Sequence, residues 1–239
     1  WRTVDGGSIN YVHKICDALG SRLVLNAGVD RVSRGDGCVV VHRTHAPSET
    51  FDHVILACHS DQSAALLDDT FAARKFLLGG VRYRPNTIYL HHDETLMPQR
   101  KSAWASWNVL KQDGEDLCLS YWMNKLQGIR DDRPLFVTLN PTHPPRSEKT
   151  FDKVTFDHPQ FDAPAEAAVR ALRGDNGNEG LWLAGAWMGS GFHEDGLKSG
   201  LEAALSLGGR VPWSAQGVAT RPVAETSNAR PALARRGLL

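Results

Sequence analysis

The sequence lacks the features that mark several classes of protein. Its 239 residues contain no apolar run of about 18 residues, so no transmembrane helix is expected. The 27 basic and 27 acidic side chains balance, and no basic stripe interleaved with aromatic residues is present, so no nucleic-acid partner is expected. The chain begins with Trp1, and its first residues do not show the charged segment followed by an apolar segment that marks a signal peptide. We therefore expect no signal peptide and interpret the sequence as a fragment or a processed chain.

Cysteine is scarce, with only Cys16, Cys38, Cys58 and Cys118, all far apart. No pair has the spacing of a zinc knuckle or a redox CxxC motif. Cys38 and Cys58 lie in apolar runs and are predicted to be small buried residues. Free thiols suit a reducing compartment, so the sequence favours a cytoplasmic protein, either free or peripheral to a membrane.

Hydrophobic periodicity predicts a mixed fold, α/β with α+β character. The predicted helices cover residues 9–19, two short segments of 60–78, 164–174 and 195–207, and Ser8 is the expected cap of the first. The predicted strands cover residues 22–26, 37–43, 51–58, 86–93, 103–110, 116–122, 134–140, 149–159 and 180–186. The strands of the middle region are separated by turns, a pattern typical of an antiparallel sheet.

A glycine-rich junction joins the last predicted strand to the last predicted helix. The small residues are Gly185, Ala186, Gly189, Ser190 and Gly191, which leave the backbone bare beside helix N–H groups that favour an anion or an electron-rich ligand edge. The glycine spacing matches neither a dinucleotide fingerprint nor a P-loop. A junction with a purely structural role is the alternative.

Other polar and aromatic residues allow two interpretations. His193 is the candidate acid or base, since imidazoles exchange protons near neutral pH; the alternative is a polar helix start capped by Asp195. His91 and His92 would point to opposite faces of a strand, so no metal site is expected. A further aromatic group is either core or an apolar wall for a lipid-like substrate; it comprises Trp104, Trp107, Tyr121 and Trp122.

The stretch "LAGAWMGSGFHEDGLKSGLEAALSL" resembles the C-terminal flavin-binding segment of the amine-oxidase-type FAD-dependent oxidoreductases. The resemblance implies that FAD is the cofactor. It places the helix amides of Asp195, Gly196 and Leu197 near the flavin ring. The implied contacts with the rest of the cofactor are those of Gly185, Ala186 and Gly191, although Ala186 replaces an acidic residue that the family commonly has. "DGGSINYVHKICDALGSRLVLNAGVDRV" resembles the segment where the family's chain returns to its FAD domain, and implies that Val29 presents its backbone to the adenine.

Six motifs in order resemble, more narrowly, the FAD/NAD-binding oxidoreductases associated with cyclopropane-fatty-acid synthases. They are "YLHHDETLMP", "AWASWN", "YWMNKLQ", "FVTLNP", "DHPQFD" and "GFHEDGLKSGLEAA". This resemblance implies hydride transfer from a small-molecule or lipid substrate to the flavin, with a cyclopropane-fatty-acid synthase as partner. The alternative is a non-catalytic flavin-fold domain that partners such a lipid methyltransferase.

The family's G-x-G-x-x-G unit has no counterpart in this sequence. The resemblance thus implies a partial FAD/NAD(P)-binding fold that lacks its N-terminal Rossmann βαβ unit. The expected divisions are an adenine-side part of the FAD domain over 1–80, an antiparallel substrate sheet over 81–160, a C-terminal FAD-binding segment over 161–212, and a disordered tail or linker over 213–239.

Overall fold

The computed structural model describes residues 3–111, 117–130, 132–211 and 213. The α-helices are α1 (Ile9–Leu19), α2 (Ser60–Leu66), α3 (Ala72–Leu78), α4 (Met123–Gln127), α5 (Ala163–Gly174) and α6 (His193–Ser206). The strands are β1 (Arg31–Arg34), β2 (Val39–Arg43), β3 (Ala46–Phe51), β4 (Val54–Leu56), β5 (Tyr83–His91), β6 (Trp107–Lys111), β7 (Leu117–Trp122), β8 (Phe136–Leu139), β9 (Thr150–Pro159) and β10 (Leu181–Leu183). Among these, no helix is long and apolar enough to cross a bilayer. The tail predicted over 213–239 lies outside the described residues, apart from Trp213.

The middle of the chain forms a five-stranded sheet in the order β6-β7-β8-β5-β9. Every neighbouring pair is antiparallel, which confirms the predicted antiparallel sheet. The predicted strand at 103–110 begins only at Trp107, because the preceding residues fold back over the sheet. There the Trp104 indole N–H donates to the carbonyl of Pro98 at 2.7 Å.

The two faces of this sheet differ in character. One face is covered by the segment that carries Met97 and Trp104, which pack with the fully buried Phe136. On the other face the strand register brings Trp107, Tyr121, Val137 and Leu90 into one cross-strand row. We call this second side the apolar sheet face; it also carries Leu119, Leu139, Ile88 and Val154.

Strands β4 and β10 form a parallel pair that lies in the main core. We use this name for the larger cluster of buried apolar residues, which includes Val32, Leu67, Leu78, Leu172 and Leu181. The outer edge of β10 is closed by side chains and by the preceding turn. The Asn176 amide accepts from the N–H of Leu183 at 2.7 Å and donates to its carbonyl at 3.1 Å. The buried Arg74 donates to the carbonyl of Leu181 at 2.7 Å and also holds Asp175 at 2.7 Å. Within the described residues, a further parallel strand could therefore extend this two-stranded sheet beside β4 and not beside β10.

Two segments differ from the sequence-based expectation near the N-terminus. The predicted strand at 22–26 is wrong, because no neighbouring strand pairs with it within the described residues, and a strand needs a hydrogen-bonding partner. Arg22 instead donates to the carbonyls of Ala18 and Leu19 at the end of α1. Helix α1 is confirmed, but its Ser8 side chain forms no capping hydrogen bond.

The N-terminal sheet is larger than expected. Strands β1, β2 and β3 form an antiparallel meander, of which neither β1 nor the largely exposed β3 is among the predicted strands. The polar sequence of β3, "APSETF", has no apolar alternation by which a strand could be recognised.

The cysteine prediction is also corrected: Cys38 and Cys58 are only half-buried, and Cys118 is the buried thiol.

Candidate functional site

A cleft of about 430 Å³ opens at the carboxyl ends of β4 and β10. Its lining includes Cys58 and His59 after β4, Gly185 and Ala186 after β10, and His158 of β9. We call it the strand-end cleft. Ligands of open α/β sheets bind outside the carboxyl ends of parallel strands, so its position in the fold is that of a ligand site.

The turn that follows β10 is braced by two buried side chains. The Ser199 hydroxyl accepts from the N–H of Gly185 at 2.9 Å, and it lies 3.2 Å from the carbonyl of the same residue. The Trp187 indole N–H donates to the carbonyl of Cys58 at 3.1 Å, which ties the end of β10 to the end of β4. A Cβ atom at Gly185 would lie 2.5 Å from Nε1 of Trp187. Only glycine leaves room for this indole, so the turn presents bare backbone to the cleft.

The glycine-rich segment that follows is fixed by Asp195. Its carboxylate accepts from the N–H groups of Ser190 and Phe192, at 3.1 and 3.0 Å. Gly191, between them, has a φ of 86°, a backbone region that favours glycine. Asp195 therefore braces this segment from within the first turn of α6.

Helix α6 begins at His193, two residues earlier than the predicted start at 195. The N–H groups of Asp195 and Gly196 consequently donate to the carbonyl of Phe192, at 3.0 and 3.2 Å. The first N–H groups of a helix have no partner within it, and at this end they belong to His193 and Glu194. The donors available to a ligand thus lie earlier in the chain than the sequence indicated.

The structure divides the predicted cofactor residues into separate groups. Gly185, Ala186 and Gly191 line the strand-end cleft. Gly196 packs against Ala186, and the side chain of Leu197 is 53% exposed. Val29 precedes β1 and packs against the main core, outside the lining of the cleft.

A second cavity, of about 460 Å³, is lined by residues near the N-terminus, by residues of β6, β7 and α4, and by His193 at the start of α6. We call it the sheet-side pocket; its lining includes Tyr11, Trp107, Tyr121, Lys125 and His193. The Trp107 and Tyr121 rings meet edge to face, with centroids 5.4 Å apart, and burial raises the pKa of the Tyr121 hydroxyl. Gly191 lines the cleft and His193, two residues later, lines the pocket, so one short segment at the start of α6 contributes to both.

The aromatic group divides between the two sides of the sheet. Trp104 and Trp122 meet edge to face at 5.3 Å and pack with Phe136 on the covered side of the sheet. Trp107 and Tyr121 line the sheet-side pocket instead. Trp107 is 43% exposed, which leaves its ring accessible to a ligand.

The histidine pair also separates. His92 packs on Phe151, with ring centroids 5.2 Å apart. His91 is fully buried, where its Nδ1 accepts from the N–H of Asp93 at 3.0 Å and its Nε2 lies 2.7 Å from the Thr138 hydroxyl. Both ring nitrogens of His91 are thus engaged within the protein. Burial opposes ionisation of the Asp93 carboxyl, but hydrogen bonds from Arg146 outweigh it and hold the Asp93 pKa well below its usual range.

Sequence reasoning missed several residues of the two cavities. His59 could have been found, since it follows a buried strand at the edge where ligands bind. Trp187, Ser199 and Lys125 gave no local signal, because their roles depend on contacts with residues distant in the chain. The same is true of His158, which β9 brings to the cleft.

Residues 2–102 match the family model of flavin containing amine oxidoreductases. Among solved structures, a CLA-producing fatty acid isomerase from P. acnes is 13% identical at a TM-score of 0.58, with 84% of this chain and 52% of that chain covered. A putative protoporphyrinogen oxidase from Exiguobacterium sp. 255-15 is 13% identical at a TM-score of 0.59, with 86% and 51% covered. Cyclohexylamine oxidase from Brevibacterium oxydans IH-35A is 15% identical at a TM-score of 0.58, with 84% and 52% covered.

The search of curated proteins gave no match. The chain spans about half the length of the solved structures that it matches. It therefore has a mixed α/β fold similar to part of the FAD-dependent amine oxidases, as the sequence predicted.

Proposed function

We propose that this chain is the flavin-facing part of an FAD-dependent oxidoreductase related to the amine oxidases. The observation that carries the proposal is that one short segment, from Gly191 to His193, contributes to both the strand-end cleft and the sheet-side pocket. A flat ring held at this segment would lie beside the bare backbone of Gly191 and near His193. The match of residues 2–102 to flavin-containing oxidoreductases supports the same cofactor.

The residues of the cleft fit such a group. Gly185, Ala186 and Gly191 would contact it through the backbone, while His59 and His158 would flank it. Bound FAD would accept a hydride from the substrate. The chain itself would hold the substrate against the rings of Trp107 and Tyr121, and His193 would hold or move a proton at its imidazole.

The grip on the cofactor's pyrophosphate would come from outside this sequence, which contains no G-x-G-x-x-G unit. Because the outer edge of β10 is closed, the strand of that unit would have to pair at the other edge of the sheet. Asn176 and Arg74 occupy the backbone groups of β10, so an added parallel strand would pair with β4. We also propose the domain boundaries predicted from the sequence, which fall after residues 80, 160 and 212.

An acyl lipid is the proposed substrate, and a cyclopropane-fatty-acid synthase the proposed partner. Both rest on the six sequence motifs and on the apolar sheet face beside the pocket. The four free cysteines favour the cytoplasm, either in solution or at a membrane surface, as the place of action.

A second candidate is a non-catalytic interaction domain for a lipid methyltransferase. It is favoured by the exposed apolar residues of α1, among them Ile9 at 52% and Ile15 at 55%. An amphipathic helix usually buries such a face, so a partner could cover it.

The test compares the visible absorption spectra of two purified proteins, a short form and a longer form. The short form contains this chain alone, and the longer form contains it together with the segment encoded by the sequence that precedes it in frame. Flavin absorption in the longer protein is expected, and its loss from a Gly191→Val variant would place the flavin at the cleft. The control Gly200→Ala lies on α6, at a position with nothing within 4 Å of an added Cβ. A colourless longer protein that gains no absorption on addition of FAD would contradict the proposal and favour the interaction domain.

A further inference from the structure

The charges that line the sheet-side pocket are of one sign. Its ionisable lining residues include Lys125 and His193, which are basic or neutral, and no carboxylate is among the described residues that line it. The Lys125 ammonium lies 5.9 Å from the centre of the Trp122 ring, at the end of β7. A cationic ligand would lose water in this pocket and find no anion to replace it. The lining thus selects against an amine and for an anion.

The pocket continues into an apolar surface. From Trp107 and Tyr121 the apolar sheet face runs across the strands through Val137 and Leu90. Ile88 and Val154 extend it to the last strand, where Asp152, opposite Leu90, is the acidic residue at its border. Five strands at about 4.8 Å spacing give this face a width of about 19 Å. A long hydrocarbon chain could lie along it with one end at the pocket.

We propose that the sheet-side pocket binds the carboxylate of a long-chain acyl compound, with Lys125 as the residue that holds the head group. The ammonium of Lys125 donates to the carboxylate, and the hydrocarbon chain extends over the apolar sheet face. The inference deepens the proposed function by naming the charge and the polarity of the substrate. Any role of this binding in catalysis rests on the proposed function. The binding step itself requires only the described pocket.

The test measures the binding of three amphiphiles of equal chain length by isothermal titration calorimetry, below their micelle concentrations. They are dodecanoate, dodecylamine and dodecanol, which differ only in the head group. The full 239-residue chain is expected to bind dodecanoate at least about tenfold more tightly than dodecylamine, the difference expected for one charge-assisted hydrogen bond. Dodecanol should lie between them.

The variant Lys125→Met should weaken dodecanoate binding by about tenfold and leave dodecanol binding unchanged. The matched control is Lys101→Met. Lys101 also lies over a tryptophan ring, 5.2 Å from Trp104, but does not line the pocket. Circular dichroism of each variant verifies that it is folded. Lys125→Arg, which keeps the charge, should retain most of the preference for the carboxylate.

Equal binding of the three amphiphiles, tighter binding of dodecylamine, or an unchanged carboxylate preference in Lys125→Met would overturn the inference. These outcomes are independent of the flavin measurement. A flavin-containing protein without the carboxylate preference would refute this inference alone, whereas carboxylate binding by a protein that never takes up flavin would refute the redox role alone.

Discussion

The hydroxyl of Ser199 lies between the backbone N–H and carbonyl of Gly185, at 2.9 and 3.2 Å. Ser199 belongs to α6, and Gly185 follows β10, so this contact joins the last helix to the strand that ends at the cleft. Ser199 is 1% exposed, and its hydroxyl also lies 2.9 Å from the carbonyl of Gly196. One buried side chain therefore fixes the backbone that a flavin would contact.

We expect Ser199→Ala to lower the free energy of unfolding by about 1–2 kcal/mol, because the buried N–H of Gly185 would lose its acceptor. The measurement is urea denaturation followed by tryptophan fluorescence. Ser206→Ala is the matched control, since the exposed Ser206 hydroxyl donates only to the carbonyl of Glu202 on the same helix. Equal effects of the two substitutions would show that the contact with Gly185 has no special weight.

The carboxylate of Asp195 should govern the order of the glycine-rich segment. Asp195→Ala removes the acceptor for the N–H groups of Ser190 and Phe192, so both amides should exchange hydrogen faster. The flavin affinity of the longer protein should fall with it. The measurement is hydrogen exchange by mass spectrometry on peptides that span 186–196. Glu194→Gln, at an exposed neighbouring position, should leave exchange unchanged, and slow exchange in Asp195→Ala would contradict this role.

Much of the fold follows from local patterns, but the site does so only in part. Alternating apolar runs and turns predicted the antiparallel sheet, because each strand carries its own signal. The segment at 22–26 has such a signal too, with Val24 and Leu25 as apolar residues. It forms no strand because pairing depends on a partner that a local pattern does not contain.

The start of α6 shows a different limit. Asp195 is a favoured residue for a helix cap, so the sequence placed the helix start there. In the structure it is the third residue of the helix and accepts from the N–H of Phe192, an arrangement in which the acidic residue reaches back from the first turn. Both arrangements use the same residue types, and the sequence alone does not separate them.

The split of the aromatic group was within reach of the sequence. Tyr121 and Trp122 are consecutive on a strand, so their side chains point to opposite faces and cannot both be core on one side. That His193 and Trp107 line one pocket could not be predicted, because the two residues lie far apart in the chain and on different elements.

Arg74 should be a major determinant of stability in the main core. It is 5% exposed and donates to the Asp175 carboxylate and to the carbonyls of Asp175, Asn178 and Leu181, each at 2.7 Å. Arg74→Met would leave these acceptors without their donor, so we expect the free energy of unfolding to fall by about 3 kcal/mol. Lys75→Met changes the exposed neighbouring residue and should alter stability by less than about 0.5 kcal/mol. Urea denaturation of the three proteins compares them; a loss for Arg74→Met no larger than that for Lys75→Met would refute this role.

The buried His91 should make the protein sensitive to mild acid. Burial lowers the pKa of the His91 imidazole to about 4, whereas in the unfolded chain it has the ordinary value of about 6.5. The unfolded state therefore binds a proton first as the pH falls. The stabilisation due to the neutral ring is complete above pH 6.5 or so and is lost as the pH falls towards about 4, by about 3 kcal/mol in total.

This loss can be measured as the free energy of unfolding in urea at a series of pH values between about 7.5 and 4. His91→Gln removes the titrating ring, so its stability should be lower at neutral pH but should depend less on pH over this range. His92→Gln serves as the control: His92 packs on Phe151, and its charge is a lesser cause of the lowered His91 pKa than burial, so most of the pH dependence should remain. If His91→Gln kept the same slope as the unsubstituted protein, the acid sensitivity would have to come from other groups, and the carboxylates would be the next to test. A flattened slope in His91→Gln alone would assign it to the hydrogen-bonded imidazole between Asp93 and Thr138.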